Sequence, residues 1–422
     1  MDVIENLVGR VALPKMAPAR QIFAAEALAD VEAALRDEFL QKCPPIEKGA
    51  TIALGVGSRG LADLPLLVRT TVDELKNRGA NVFIVPSMGS HGGATAEGQE
   101  KLLAGLGITE DTVGAPIRSS MEVVTLGHLP NGLPICMDKC AMEADGIAFI
   151  GRVKPHTSFS GEIESGLAKM ITIGLGKQIG ADSAHAMGFG VMEANVVDMA
   201  RYKLANTKIL FGIASVENAY DRISIVELVH PEGMIEREKE LLRIARANMP
   251  RIQFNPIDVL IVDKMGKEFS GTGMDPNVTG RAGTPYIKPE LQAGRLVILD
   301  LSLKSGGNAT GLGLADITTR RLVEKIDYAA TYANHITSTV MSGAKVPMTL
   351  PNDELAIKCA VKTCNGPEPA RLRIVRVPNT LHVEHIFISE ALVEEAKDHP
   401  GVEVLGPAEP FAFDNEGALA IA

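Results

Sequence analysis

The stretch TIALGVGSRGLADLPLLVRTTVDELKNRGANVFIV, residues 51–85, indicates the fold class of this chain. Its first apolar run ends in a glycine-rich turn, which is typical of a buried strand. A helix follows over residues 64–78, because apolar residues recur there at helical spacing: Leu67, Val68, Val72 and Leu75. A second apolar strand comes at residues 82–85. A strand, a helix and a strand in succession predict a βαβ unit with parallel strands.

The same order of apolar strand and polar turn recurs at four further places: residues 145–156, 207–218, 257–266 and 294–302. The sequence therefore predicts an α/β protein with largely parallel sheets flanked by helices. A chain of 422 residues exceeds the usual single core, and Pro250 and Pro256 separate a charged helix from a new strand. We expect two α/β domains, residues 1–255 and 256–422. The active site is expected in the cleft between them, and an extended C-terminal arm is expected from Val402.

Composition restricts the class of function. The chain is 46% hydrophobic and 22% charged, which is typical of a packed soluble protein. Its net charge of -10 argues against nucleic acid as a partner, because phosphate contacts need clustered Lys and Arg. We expect no membrane span, because no apolar run approaches the roughly 20 residues that one requires. The five cysteines fit no disulfide framework, which favours a cytoplasmic protein.

The candidate site residues lie in glycine-rich segments. Residues 151–185 hold His156, Lys169 and His185, while His91 lies in GSHGG (89–93) and Arg59 in GVGSRG (55–60). Imidazoles bind metals or move protons near neutral pH, and a lysine can bind an anion or form a covalent bond. A guanidinium can grip a carboxylate through two parallel hydrogen bonds. These residue types predict an active site built around a metal or a cofactor.

The positions of these residues in the predicted elements suggest how they meet. Four basic residues directly follow predicted strands: Arg59, His91, His156 and Lys264. Ligands of parallel sheets bind beyond the carboxyl ends of the strands, so we expect these four residues at one rim. Lys177 is an alternative to Lys169 as the reactive lysine. Glu162 and Glu164 could bind a metal or a metal-bound histidine, or could form a solvated helix start.

The order and spacing of these motifs resemble the nickel-dependent lactate racemase family, whose members use a nickel-pincer nucleotide. The resemblance rests on His91 in GSHGG, on PHTSFSG at residues 155–161, and on the sixteen residues that separate Lys169 from His185. It covers roughly residues 50–190. It implies that Lys169 anchors the cofactor through a thioamide and that His185 coordinates the nickel. It also implies that proteins of cofactor synthesis are partners of this chain.

The resemblance further implies a racemase or epimerase of a 2-hydroxy acid. His91 and His156 would sit on opposite faces of the substrate and exchange its hydroxyl proton, while hydride leaves and returns at the neighbouring carbon. Arg59 would orient the substrate carboxylate, and Lys267 is the expected substrate contact in the second domain. Lactate-specific members carry an acidic residue at the position of Val56 and a bulkier basic residue after the first histidine. The sequence therefore predicts a 2-hydroxy acid other than lactate.

Two other readings of the same residues remain open. His91, His156 and His185 could bind zinc directly in a metallohydrolase, which would need no organic cofactor. Alternatively, Arg59 and the glycine-rich loops could form a binding protein for an anionic metabolite or a nickel cofactor. That protein would bind its ligand without turnover. The sequence leaves the oligomeric state open.

Overall fold

The structure is a computed structural model that describes residues 2–58, 61–365 and 368–420. Within these residues it has fifteen strands: β1 (Met16–Gln21), β2 (Thr51–Val56), β3 (Asn81–Pro86), β4 (Val123–His128), β5 (Pro134–Asp138), β6 (Gly146–Arg152), β7 (Ile209–Glu217), β8 (Ile223–Val229), β9 (Ile257–Met265), β10 (Ala293–Leu301), β11 (Ile317–Thr319), β12 (Met348–Leu350), β13 (Ile374–Val377), β14 (His385–Ser389) and β15 (Val402–Val404).

The same residues contain fifteen α-helices: α1 (Asp2–Val8), α2 (Val31–Lys42), α3 (Leu64–Asn77), α4 (Ala96–Gly105), α5 (Glu110–Val113), α6 (Lys139–Glu143), α7 (Leu167–Lys169), α8 (Lys177–His185), α9 (Met192–Asn206), α10 (Met234–Asn248), α11 (Pro276–Thr279), α12 (Arg320–Val323), α13 (Tyr328–Ser338), α14 (Asp353–Thr363) and α15 (Val393–Asp398). A π-helix at Met170–Gly174 continues α7. None of the helices in the described residues combines the length and apolar composition that crossing a membrane requires.

The chain divides into two compact units, residues 24–249 and residues 1–23 with 250–422. This division lies close to the predicted boundary at 255/256 but assigns the first 23 residues differently. They join the second unit because β1 pairs antiparallel with β14 and with β15. Such pairing between distant segments leaves no signal in the local sequence pattern. Residues after β15 continue along β1 through a bridge between Met16 and Glu409, and contain no further strand among those described.

The unit of residues 24–249 is built on a five-stranded sheet in the order β3-β2-β6-β7-β8. β3, β2, β6 and β7 are parallel, and β8 is antiparallel at the edge. The apolar face of α3 packs on this sheet with the residues that the helical spacing predicts: Leu67, Val68, Val72 and Leu75. The chain runs from β2 to β3 on one side and later to β6 on the other. The topological switch point therefore lies between β2 and β6.

The other unit contains an eight-stranded sheet in the order β12-β11-β10-β9-β13-β14-β1-β15. β12 through β13 are parallel, and the last three strands pair antiparallel. The predicted α/β class, with mostly parallel sheets flanked by helices, is confirmed. Lys264 lies inside β9 rather than after it, and β9 belongs to this second sheet. The expectation that Lys264 shares a rim with the histidines of the first sheet was therefore wrong.

Candidate active site

The carboxyl ends of β2, β3 and β6 meet at the π-helix. A Cβ added at Gly57, just after β2, would lie 3.3 Å from the terminal methyl carbon of Met170. A Cβ at Gly151, near the end of β6, would lie 3.1 Å from Cγ of the same residue. The Gly89 N–H, beyond β3, donates to the Gly174 carbonyl at 3.1 Å. Close backbone approach therefore places the candidate segments of three strands around residues 169–174.

Two buried charged side chains hold the helical segment that carries Lys169. Glu238, from α10, accepts a hydrogen bond from the Ala168 N–H at 2.7 Å, at the start of the segment. Lys203, from α9, donates to the carbonyls of Ile171 at 2.6 Å and Thr172 at 3.2 Å, further along it. A carboxylate near the start of a helix and an ammonium near its later carbonyls both match the polarity of the helix dipole. Lys169 itself is half-buried in the segment they hold.

Glu238 and Lys203 are ionisable groups in an apolar setting. Burial raises the pKa of Glu238 to about 7, against the opposing effect of the backbone N–H groups of Ala168 and Leu167. Burial likewise lowers the pKa of Lys203 to about 7. Oε1 of Glu238 is buried and has no hydrogen-bond partner in the described part of the chain. The segment around Lys169 is therefore held at a cost in desolvation, which is typical of a functional region.

His185 ends α8 with one ring nitrogen fixed. Its Nδ1 lies 2.8 Å from the Ala181 carbonyl, so Nδ1 carries the proton and the Nε2 lone pair is left to accept a proton or bind a metal. Burial lowers the pKa of His185, and the charge of Lys169 lowers it further. The ring is therefore neutral at pH 7, as a metal ligand must be. The charge of Lys169 therefore acts on the ring of His185, the other predicted cofactor residue.

His156 joins the same neighbourhood through aromatic contacts. Its ring centroid lies 4.5 Å from that of Phe159 and 6.2 Å from that of Phe189. Phe189 also meets His185 edge to face at 5.6 Å. The Ser158 N–H donates to Nδ1 of His156 at 3.0 Å, so the neutral His156 ring carries its proton on Nε2. His156 and His185 therefore adopt opposite tautomers, and both rings lie near Phe189.

His91 is exposed after β3, and its Nδ1 is hydrogen-bonded to the Ser58 hydroxyl in the turn after β2. The side-chain amide of Gln99 donates to the carbonyls of Gly89 at 2.8 Å and His91 at 3.3 Å. Gln99 in turn accepts from Lys177 at 3.2 Å, and Lys177 also donates to the Pro86 carbonyl at 2.6 Å. The backbone around His91 is therefore fixed by a buried polar network.

Lys177, the alternative reactive lysine, has a structural role in that network. Its ammonium lies 3.0 Å from a carboxylate oxygen of Asp138, and neither side chain is exposed. Burial lowers the pKa of Lys177 and raises the pKa of Asp138, while each charge opposes the effect of burial on the other. An ammonium engaged with a carboxylate, a carbonyl and an amide oxygen is poorly placed to react with a cofactor.

The roles of two further predicted site residues, Arg59 and Lys267, stay predictions. Arg59 lies outside the described residues. Lys267 belongs to the other unit, where its ammonium donates to the Gly271 carbonyl at 2.6 Å and to the Asn334 side chain at 2.8 Å. Among residues 2–58, 61–365 and 368–420, no group of three His, Cys, Asp or Glu side chains is spaced to hold a metal ion. The zinc reading of His91, His156 and His185 therefore has no support.

Several residues that build the site were not predicted from the sequence. Glu238 and Lys203 sit on amphipathic helices, where charged residues normally face solvent. Ser58 lies in the turn after a strand, directly before Arg59. This position was a usable sequence signal for a site residue, although the glycines around it made it inconspicuous. Glu164 was one of two open candidates, and the structure buries it against the backbone of His156 at 2.6 Å. Glu162, the other candidate, has a side chain that is 67% exposed.

Comparison with known proteins finds a family model that matches the part of the chain holding these segments. Residues 46–196, about a third of the chain, match the family model described as the lactate racemase N-terminal domain. This stretch includes β2, β3, β6 and the whole segment from Lys169 to His185. The resemblance that the motifs indicate is thus confirmed over this part of the chain.

Two solved structures are similar to this chain at low sequence identity. A protein from Thermotoga maritima shares the fold, with a TM-score of 0.52 and 13% identity over 85% of this chain and 98% of that one. The lactate racemase apoprotein from Thermoanaerobacterium thermosaccharolyticum has 19% identity and a TM-score of 0.41, covering 65% of this chain and 68% of that one. No curated protein matches the sequence closely enough to count as a relative.

Proposed function

We propose that this protein is a racemase or epimerase of a 2-hydroxy acid other than lactate, with a nickel-pincer nucleotide held by Lys169 and His185. The observation that carries the proposal is the state of His185. Its Nδ1 is committed to a backbone carbonyl, its Nε2 lone pair is available, and Lys169 is close enough to affect its pKa. A lysine beside a neutral imidazole of this tautomer suits an anchored organic group that carries a soft or borderline metal.

The side chains of this site divide the chemistry between them. When bound, the nickel-pincer nucleotide supplies a hydride acceptor. His91 and His156 exchange the hydroxyl proton of the substrate, one for each enantiomer, and histidine suits this task because its pKa lies near neutral pH. Arg59 orients the carboxylate, and Lys267 contributes a second cationic contact. Cytoplasmic action and dependence on cofactor-synthesis proteins belong to the same proposal.

The hydrogen bond from the Ser158 N–H has a consequence for the direction of proton transfer. A neutral His156 ring that accepts at Nδ1 holds its proton on Nε2 and can only donate there. Accepting a proton at Nε2 requires the other tautomer, which releases the Ser158 N–H. His91 has no such restriction, since the Ser58 hydroxyl can either donate to its Nδ1 or accept from it. The two histidines are therefore not equivalent in the resting protein.

The backbone after His91 supports a substrate other than lactate. Gly92 has a φ of +69°, and a Cβ at this position would lie 2.6 Å from the backbone nitrogen of Gln99. Position 92 thus has no room for the bulkier basic residue that the lactate-specific pattern carries. A site without that side chain leaves space for a longer or more polar substrate.

Intact-protein mass spectrometry tests the cofactor proposal. We expect wild-type protein co-expressed with the cofactor-synthesis proteins to carry an added mass of nucleotide size. Lys169→Ala should lack the added mass, because it removes the amine to which the group is linked. Lys177→Ala is the matched lysine control and should keep it wherever the variant folds. An unmodified wild type that also lacks nickel by elemental analysis would reject the proposal in favour of a binding protein.

Substrate choice is tested on the loaded enzyme with a panel of 2-hydroxy acids, each supplied as a single enantiomer. We expect the highest kcat/KM with an acid longer or more polar than lactate, because Gly92 and Gly93 leave the side-chain end of the site open. Chiral chromatography of the products measures the inversion directly. Fastest turnover of lactate would contradict the substrate proposal while leaving the cofactor proposal intact.

A further inference from the structure

The loop that carries His156 is closed on itself. The Lys154 N–H donates to the Ser165 carbonyl at 2.8 Å, and the Ser165 N–H donates back at 3.2 Å, which forms an isolated antiparallel bridge. Residues 155–164 therefore form a loop whose two ends are held together at the carboxyl end of β6. His156 is the second residue of the loop and Glu164 is the last.

Glu164 turns its carboxylate into the loop. The side chain is only 1% exposed, and its two oxygens accept from the His156 N–H at 2.6 Å and the Gly161 N–H at 2.9 Å. The guanidinium of Arg246, from α10, donates to the same carboxylate and to the Gly161 carbonyl. Charge-assisted bonds of this kind are about twice as strong as neutral ones. The carboxylate thus ties the backbone of His156 to α10 through Arg246, which lies 82 positions after Glu164.

A second ion pair joins the same loop to the same helix and provides a comparison. Glu162 lies 3.0 Å from Lys239, but its side chain is 67% exposed and no backbone N–H of the loop is known to bond to it. Solvent-exposed pairs contribute little to stability. This second pair therefore has the same charges as the pair of Glu164 and Arg246 and joins the same loop to the same helix. It differs in that it does not hold the backbone of His156.

We propose that Glu164 and Arg246 are positioning residues that fix the backbone of His156 and thereby the orientation and tautomer of its ring. Glu164 holds the N–H of His156 itself, and the Ser158 N–H two residues later holds Nδ1 of the ring. With the Glu164 carboxylate in place, the segment 156–161 is fixed at both ends, through the N–H groups of His156 and Gly161. Without it, the segment 156–161 can relax and the ring loses the donor that sets its tautomer. The effect of this positioning on catalysis rests on the proposed function, whereas its effect on the structure around His156 does not.

The experiment compares Arg246→Met and Glu164→Gln with the matched controls Lys239→Met and Glu162→Gln. The first measurement needs no cofactor: the tautomer of His156 from ¹⁵N correlations of histidine-labelled protein, together with hydrogen exchange of the Ser158 amide. We expect both to change in Arg246→Met and Glu164→Gln and to stay as in wild type in the controls. Arg246→Met removes a partly exposed side chain, so it tests the proposal even if Glu164→Gln does not fold. Arg246→Lys should restore part of the wild-type behaviour.

The second measurement is kinetic and uses the loaded enzyme. Arg246→Met should lower kcat by about 100-fold and leave KM little changed. A small displacement of a catalytic group weakens its interaction with the transition state more than it weakens substrate binding. An unchanged His156 tautomer and Ser158 exchange in Arg246→Met would overturn the proposal, as would equal changes in Lys239→Met. If the His156 tautomer changes in Arg246→Met but the loaded wild type inverts no 2-hydroxy acid, the proposed function is refuted and the positioning role is supported.

Discussion

Glu238→Gln is expected to stabilise the protein at pH 8 by up to about 3 kcal/mol and to change its stability little at pH 4. Glu238 is fully buried and pairs with no basic side chain among the residues that the structure describes, and burial raises its pKa to about 7 from the ordinary 4.5. At about 1.36 kcal/mol per pH unit, that difference corresponds to the figure given. Glutamine keeps an acceptor for the Ala168 N–H without carrying a charge.

The pH dependence follows from the raised pKa. Between pH 4.5 and 7 the folded protein keeps a proton on Glu238 that the unfolded chain has released. The contribution of this carboxyl to stability is therefore fully present below pH 4.5 and is lost as the pH rises through about 7. Glu238→Gln removes that loss, so its advantage over wild type should grow across this window and then level off.

Chemical denaturation at several pH values measures this difference, and Glu236→Gln is the matched control. Glu236 lies on the same helix, but its side chain is 70% exposed and pairs with Lys239 at the surface. Its substitution should leave the pH dependence of unfolding as it is in wild type. Parallel curves for Glu238→Gln and wild type between pH 4.5 and 7 would show that the carboxyl is not desolvated as the structure has it.

If Glu238→Gln stabilises the protein, the result would indicate that the wild-type carboxyl near Lys169 is retained for function. Natural proteins retain unfavourable groups where activity depends on them, so a buried, unpaired carboxylate under the candidate anchor fits a functional element. The same reasoning applies to Lys203, whose ammonium is buried against two carbonyls of the π-helix. A π-helix is itself rare and occurs frequently at functional sites.

The sequence was a sufficient guide to the elements of residues 51–85, because alternation of apolar strands and an amphipathic helix is a local property. β2, α3 and β3 lie where the pattern predicts them. It was also sufficient to place His91 and His156 after strands, since a motif that follows a strand can be read directly. It failed for β1, whose partners are more than 360 residues away, and for Lys264, because the end of β9 lies one residue beyond it.

The contacts that hold the site could not be predicted, for a related physical reason. Glu238, Lys203 and Arg246 act on a segment that lies far from them along the chain, and each sits on a helix whose charged residues look solvated in the sequence. Burial of a charge depends on what packs against it, which is a tertiary property. The spacing of Lys169 and His185 could be read from the sequence, but the tautomer that makes His185 a suitable ligand could not.

Lys177→Met is expected to lower the free energy of unfolding by about 3–5 kcal/mol, because it leaves Asp138 as a buried charge without its partner. Lysine and methionine both carry a Cβ, so the backbone strain of the +55° φ at position 177 is the same in wild type and in the variant. Lys139→Met, which removes an exposed lysine paired with Glu122, is the control and should cost far less. Chemical denaturation of both variants measures the difference.

The double variant Lys177→Met with Asp138→Asn separates the charge from the hydrogen bonds. Asparagine keeps the oxygen that accepts from the Ala141 N–H at the start of α6, but it removes the buried charge, so most of the lost stability should return. The bonds from Lys177 to Pro86 and Gln99 stay absent, and Gln99 is what holds the carbonyls of Gly89 and His91. Hydrogen exchange of amides 87–91 should therefore remain faster than in wild type although stability recovers. If stability and exchange recover together, Lys177 supports the fold alone, and the loop of His91 is positioned by something other than this network.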